Sequence, residues 1–255
     1  MIEIIQPNVP GKSVKPCLTF FPSDRPDTKG AVLIFPGGGY EHVSVLKEGS
    51  SIAEALNRNG FHAFVLDYRV KPFPGRDILT DAVQAVKTVK KYLMENRFEN
   101  RKLALMGFSA GGHLALMETQ HWAEVHTENE DISGRPDALI LCYPVVTFME
   151  PYAHQGSRAN FLGEENLSDD ALIGKYSAER HISPDFPPVF LWHCEGDESV
   201  PVENTLMLRE ALIRADISNK VILYKNGAHG LGLATDDAVI SAWFAACVEW
   251  LQTVF

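Results

Sequence analysis

The sequence predicts a mostly parallel α/β sheet with helices on both faces, folded as one domain over residues 1–255. Three observations predict it. From residue 30 onward, short apolar runs alternate with amphipathic segments. Those runs are apolar throughout, as in strands buried on both faces. The longest irregular stretch, 145–188, falls between two such runs, which suits a small cap on one domain better than a second domain.

The elements follow in order. AVLIFPGG (31–38) reads as a strand ending in glycines, and SSIAEALNRNG (50–60) as a helix with a glycine stop. FHAFVLDYR (61–69) is a strand. The next segment, 77–96, places Leu79, Ala82, Val83, Val86 and Leu93 on one helical face. A strand at 102–108, a helix at 110–123 and strands at 137–144 and 189–195 come next. A helix at 202–216, a strand at 220–225 and a closing helix at 236–254 complete the series. The first residues, with VKPCLTFF (14–21), are expected to add antiparallel edge strands.

Composition narrows the function. Apolar residues make up 45% of the chain, ordinary for a globular protein. A chain of this length buries roughly three quarters of its unfolded surface, so its core needs neither disulfide nor metal. The 23 Lys and Arg against 33 Asp and Glu give a formal charge of −10, without a basic run. Nucleic acid is therefore not an expected partner. No apolar run reaches the ~18 residues of a membrane span, and MIEIIQPNVPGK lacks the charged and apolar regions of a signal peptide. Cys17, Cys142, Cys194 and Cys247 lie far apart, with no C-x-x-C or Cys/His metal spacing. Reduced thiols, a cytoplasmic setting and the absence of metal and cofactor are expected.

The chemistry concentrates in four places. Gly107-Phe108-Ser109-Ala110-Gly111 fits G-x-S-x-G between a strand and a helix, the context in which that turn presents a serine hydroxyl. Serine needs a base, and chain order places the acid and then the base after it. Of nine histidines, His229 alone lies between the last strand and the last helix. His113, one turn into the helix behind Ser109, reads as a packed residue. His62, His121 and His126 sit away from the expected site, and His42, His154, His181 and His193 are open as lining residues. For the acid, Asp197 follows the strand-ending glycine in CEGDESVP, ahead of Glu195 and Glu198. The glycines of Pro36-Gly37-Gly38-Gly39-Tyr40 let backbone N–H groups approach an oxyanion, and the elbow adds the N–H of Ala110. Neither nucleotide-binding glycine motif is present.

These segments resemble the esterase and lipase branch of the α/β-hydrolase fold, within it most of all the bacterial bifunctional feruloyl and acetyl xylan esterases. The resemblance runs through PGGGY (36–40), KEG (47–49), FVLDYRV (64–70), MGFSAGGHLA (106–115), LCYPV (141–145), GSRANFLG (156–163), FLWHCEGDESVPVEN (189–204) and AHGLGLA (228–234). It implies acyl transfer through an acyl-serine without a metal. By motif it makes Ser109 nucleophile, Asp197 acid and His229 base, with Gly38, Gly39 and Ala110 as oxyanion donors. Many relatives begin the glycine motif with His, where this chain has Pro36.

The expected function is therefore a carboxylic ester hydrolase that removes a small acyl group, such as acetate, from an acylated sugar. An amide hydrolase, such as a formamidase or small peptidase, uses the same constellation. A non-catalytic receptor for a small ligand is the alternative outside enzymes. Tyr40, His154, Ser157 and Arg158 are the expected substrate contacts, with Phe148 or Tyr152 stacking on a sugar ring. For Arg158 the competing reading is a tie between cap and core. The oligomeric state stays open, a homodimer included.

Overall fold

The computed structural model describes residues 3–5, 15–23, 25, 28–125 and 132–255. His126 and the stretch 6–14 of the expected edge region lie outside them. The strands are β1 (Glu3–Ile5), β2 (Cys17–Phe21), β3 (Ala31–Phe35), β4 (His62–Asp67), β5 (Leu103–Phe108), β6 (Ala138–Cys142), β7 (Val189–Cys194) and β8 (Asn219–Tyr224). They form a single sheet in the order β1-β2-β4-β3-β5-β6-β7-β8. β1 and β2 run antiparallel at one edge, and the pairings from β4 through β8 are parallel.

The helices are α1 (Ser51–Arg58), α2 (Gly75–Glu95), α3 (Ala110–His121), α4 (Gln155–Leu162), α5 (Asp170–Lys175), α6 (Glu203–Arg214) and α7 (Ala242–Val254). Side chains of successive strand residues point to opposite faces, and both faces here are apolar. Leu33, Leu105 and Leu141 pack under α2, α3 and α6 with Val83, Leu114 and Leu208. Ile34, Met106 and Ile140 face the other way, against Ile52 and Leu56 of α1 and Trp243 and Leu251 of α7. This two-sided burial explains why the strands read as continuous apolar runs.

The sheet reverses its order of construction around β3, which lies between β4 and β5. The crevice beyond the strands' carboxyl ends at such a point is where open α/β sheets bind ligands. The loop after β3 and the turn after β5 meet there. The 145–188 segment carries α4, α5 and two short 3-10 turns. Its Phe148, Phe161, Ile173, Ala178 and Phe186 join the core on the α2–α3 side.

Two boundaries differ from expectation. The closing helix begins at Ala242 instead of 236. Gly230 and Gly232 adopt positive φ of 72° and 58°, and Asp237 Oδ1 accepts the N–H groups of Val239 and Ile240 at 2.9 Å. A short polar side chain used this way favours a turn over helix continuation. Before α1, a π-helical turn over Val45–Ser50 appears that no spacing in the sequence signals. No helix among the described residues is long and apolar enough to cross a membrane.

Candidate active site

Ser109 sits in the turn from β5 to α3 with φ 53° and ψ −119°, a positive-φ conformation costly for a residue with a side chain. Its neighbours make the turn sterically feasible. A Cβ on Gly107 would lie 2.3 Å from the carbonyl oxygen of Gly111, and one on Gly111 would lie 2.0 Å from that of Phe35. Ser109 N–H donates to the carbonyl of Cys142 at 3.0 Å, which pins the turn to β6.

The sheet's carboxyl edge brings three distant residues together. His229 Nε2 lies 2.8 Å from Ser109 Oγ, and His229 Nδ1 lies 2.6 Å from Asp197 Oδ2. A carboxylate only accepts, so Nδ1 carries the proton and Nε2 is the acceptor facing the serine hydroxyl. Asp197 Oδ1 accepts the N–H groups of Ser199 and Val200, each at 2.9 Å. Its Oδ2 also accepts from His193 Nε2 at 3.2 Å. Burial alone would raise the Asp197 pKa, but bonds from His193, His229 and Val200 outweigh it and hold the group well below the usual carboxylate range. Glu195 and Glu198, the competing acids, are exposed.

The glycine loop after β3 faces this trio. Its carbonyls are tied away from the serine: Gly37 O by Ser44 N–H at 2.9 Å, Gly38 O by Glu41 N–H at 3.0 Å, and Gly39 O by Asn160 Nδ2 at 2.9 Å. Pro36 O accepts the Tyr68 hydroxyl at 2.6 Å, so the loop is anchored at the position where many relatives carry His. Gly38 has φ 131°, and a Cβ there would stand 2.1 Å from His42 O. Gly38 and Gly39 both line the 350 Å³ cavity that also holds Ser109, His229, His42 and His154. A hydroxyl against a neutral imidazole, a buried carboxylate behind it and backbone donors alongside are the parts an acyl-transfer site needs.

A family model, BD-FAE, matches residues 19–212. The chain belongs to the BD-FAE family. Its acetylxylan esterase relative from Xylanibacter ruminicola is 33% identical over 226 residues, covering 87% of this chain and 44% of that protein. Endo-1,4-beta-xylanase B of Butyrivibrio fibrisolvens is 35% identical over 233 residues, covering 89% and 36%. The chain thus spans less than half the length of either curated relative. A solved structure, the acetyl ester-xyloside bifunctional hydrolase of Caldicellulosiruptor lactoaceticus, superposes with TM-score 0.89 at 35% identity over 97% of this chain and 91% of that one. The architecture is the α/β-hydrolase fold, and the resemblance read from the sequence motifs is borne out.

In this BD-FAE member, three of the four expected substrate contacts lie elsewhere. Tyr40 is fully buried, its hydroxyl donating to His113 Nδ1 at 2.7 Å. His113 in turn donates from Nε2 to Tyr176 O at 2.8 Å, and burial pushes its pKa down to about 4, so it is a neutral core residue. Ser157 is also fully buried, and its hydroxyl bonds His154 Nδ1 at 2.8 Å. Arg158 donates to Phe148 O at 3.1 Å, Glu150 at 3.0 Å and Leu167 O at 3.3 Å, tying the 145–188 segment to itself. Phe148 cannot stack on a ligand because it is buried and stacks on the His113 ring, 4.2 Å away.

His154 does line the BD-FAE cavity. Its Nδ1 also accepts Ser157 N–H at 3.1 Å, which leaves Nε2 as the protonated nitrogen of the neutral ring. Burial, the largest cause, lowers its pKa and favours that neutral form. Sequence reasoning missed Glu48, Tyr143 and Asn160, which support the glycine loop from within. It left His193 as a lining candidate, whereas the ring is fully buried behind Asp197. Only the KEG and GSRANFLG motifs hinted at Glu48 and Asn160.

Proposed function

We propose that this chain is a serine carboxylic ester hydrolase that removes a short acyl group, acetate foremost, from a carbohydrate ester. The observation that carries the reading is the hydrogen-bonded path Ser109–His229–Asp197 opening into the cavity beside Gly38 and Gly39. Ser109 Oγ attacks the ester carbonyl while its proton passes to His229 Nε2. The oxyanion is held by the N–H groups of Gly38, Gly39 and Ala110. The intermediate collapses as His229 returns that proton to the departing sugar hydroxyl, leaving acyl-Ser109. Water then adds to the acyl carbon with its proton going to His229, and Ser109 is reprotonated as the carboxylic acid leaves. Asp197 holds the imidazole tautomer and stabilises the imidazolium.

The sugar side of the reading is supported by the acetylxylan esterase relative and by polar groups around the cavity. His154 Nε2–H is suited to a hydroxyl or acyl oxygen. The 145–188 segment serves in this reading as a small cap. The reading does not extend to the solved relative's xyloside activity: a two-carboxylate glycosidase needs a pair flanking one bond, and among the described residues Glu48 is the one carboxylate lining the Ser109 cavity. A cytoplasmic setting fits the four free cysteines.

Ser109→Ala tests the assignment. A folded variant should lose at least about three orders of magnitude in kcat on an activated acetate. Parental turnover in a clean preparation rules the serine out.

A further inference from the structure

The KEG motif is not used by the serine route. Its Glu48 lies in the π-helical turn Val45–Ser50 and is only 4% exposed. Such turns concentrate at functional sites, and this one carries the carboxylate inward beneath the glycine loop. Oε2 accepts Gly37 N–H at 2.8 Å, and Oε1 accepts the Tyr143 hydroxyl at 2.7 Å. The Tyr143 oxygen accepts Gly232 N–H at 2.9 Å. The Tyr143 ring also meets the His229 ring, with centroids 5.0 Å apart. Gly37, Glu48, Tyr143 and Gly232 therefore form one buried path. It joins the loop after β3, the residue after β6 and the loop that carries His229.

Close packing gives the path little slack. A Cβ on Gly37 would stand 2.8 Å from Glu48 Oε2 and 3.0 Å from Ser109 Cβ, and one on Gly232 would stand 3.1 Å from Lys47 O. The other ties described on the backbone of the glycine loop reach its carbonyls; Glu48 holds it by an N–H. We propose that Glu48 is a positioning residue whose carboxylate sets the spacing between the glycine loop and the His229 loop. It thereby registers the oxyanion donors against Ser109 and His229. This inference rests on the ester-hydrolase reading. An N–H and an O–H converge on two acceptor oxygens, and bonds to a carboxylate are about twice as strong as neutral ones. Glutamine has one acceptor oxygen, so Glu48→Gln keeps the shape but must give up one bond or reverse Tyr143.

The test compares Glu48→Gln, Tyr143→Phe and the double variant on an activated acetate, with Tm and circular dichroism as folding controls. Misplacing reacting groups by about 1 Å costs about 100-fold. Each single variant should lose about 10- to 100-fold in kcat with KM within about threefold. The double variant should be no worse than the poorer single, since both act on one path. Reaction with a fluorophosphonate should slow by a similar factor. Parental kcat in folded Glu48→Gln, a loss confined to KM, or losses that multiply would each overturn the proposal. Should Glu48→Gln not fold, Tyr143→Phe, which keeps the ring, decides alone. Ser109→Ala, run in parallel, separates the two ideas. If it stays active, the serine reading fails; if it is dead while Glu48→Gln and Tyr143→Phe are unimpaired, only the positioning role fails.

Discussion

Four donors converge on the two oxygens of Asp197: two backbone N–H groups on Oδ1 and two imidazoles on Oδ2. They depress its pKa, so the folded state binds the proton less readily than the unfolded chain. The stability this contributes is present above the unfolded value of about 4 and drains away as pH falls through the lower folded value. The Tm difference between the parent and Asp197→Asn should therefore be largest near neutrality and narrow below about pH 4. A gap independent of pH would mean that the carboxylate is not held in its charged form. Activity should respond far more: Asp197→Asn should lower kcat about 10³- to 10⁴-fold through the wrong imidazole tautomer. The chain order Ser109, Asp197, His229 was legible, because each residue follows a different strand. His193 behind Asp197 was not legible. Whether a histidine at a strand end faces the cavity or the core depends on the turn after it, here one that brings Val200 O within 3.0 Å of His193 Nε2.

Among the elements, the serine turn is the most sterically determined. Gly111→Ala would set a methyl group 2.0 Å from Phe35 O and 2.5 Å from Pro36 O. Neither backbone atom can retreat, so the cost should be about 3 kcal/mol by urea unfolding. Stability within about 0.5 kcal/mol of the parent would show that the turn has more room than its geometry implies. A second brace joins the segment after β4 to α2, where buried Arg69 Nε donates to Asp81 Oδ2 at 2.8 Å. Asp81→Ala leaves that guanidinium only Asp77, its carbonyl acceptor at 2.9 Å and a carboxylate at 3.6 Å, and should cost about 3 kcal/mol, against less than about 1 kcal/mol for the exposed Lys91–Glu95 pair. Comparable losses would remove the distinction between buried and surface pairs. Helical and strand periodicity made these elements readable. The π-helical turn was not, since its Glu48 is held by distant Gly37 and Tyr143; nor was the late start of α7, which a local turn at Asp237 sets. That Tyr40, Ser157 and Arg158 bond partners within the protein was not legible for a related reason: polar groups in irregular segments satisfy one another first, and only folding shows which are left over.

On the scale of the molecule, the order of the sheet places the glycine loop, the serine turn, the acid and the histidine at one carboxyl edge, and the 145–188 segment lies beside them. Continuous apolar runs foretold the parallel core, and motif spacing foretold which loops would matter. The shape of the cavity was not legible, because its lining, Gly38, Ser44, His154, Ser199 and Gly230 among them, comes from separate loops that only folding brings together. With a 145–188 segment too poor in exposed apolar residues to cover a long acyl chain, kcat/KM should fall steeply from acetyl and butyryl esters to chains of eight or more carbons. Equal turnover of long chains would make the site lipase-like. The most direct measurement, however, concerns the covalent step. Rapid quench of the enzyme with an activated acetate, followed by intact-mass and peptide analysis, should find one acetyl group per chain, on Ser109. It should be absent from Ser109→Ala and strongly reduced in His229→Ala. Turnover with no acyl-enzyme under conditions where deacylation is slow, or acetyl on another residue, would contradict the serine mechanism.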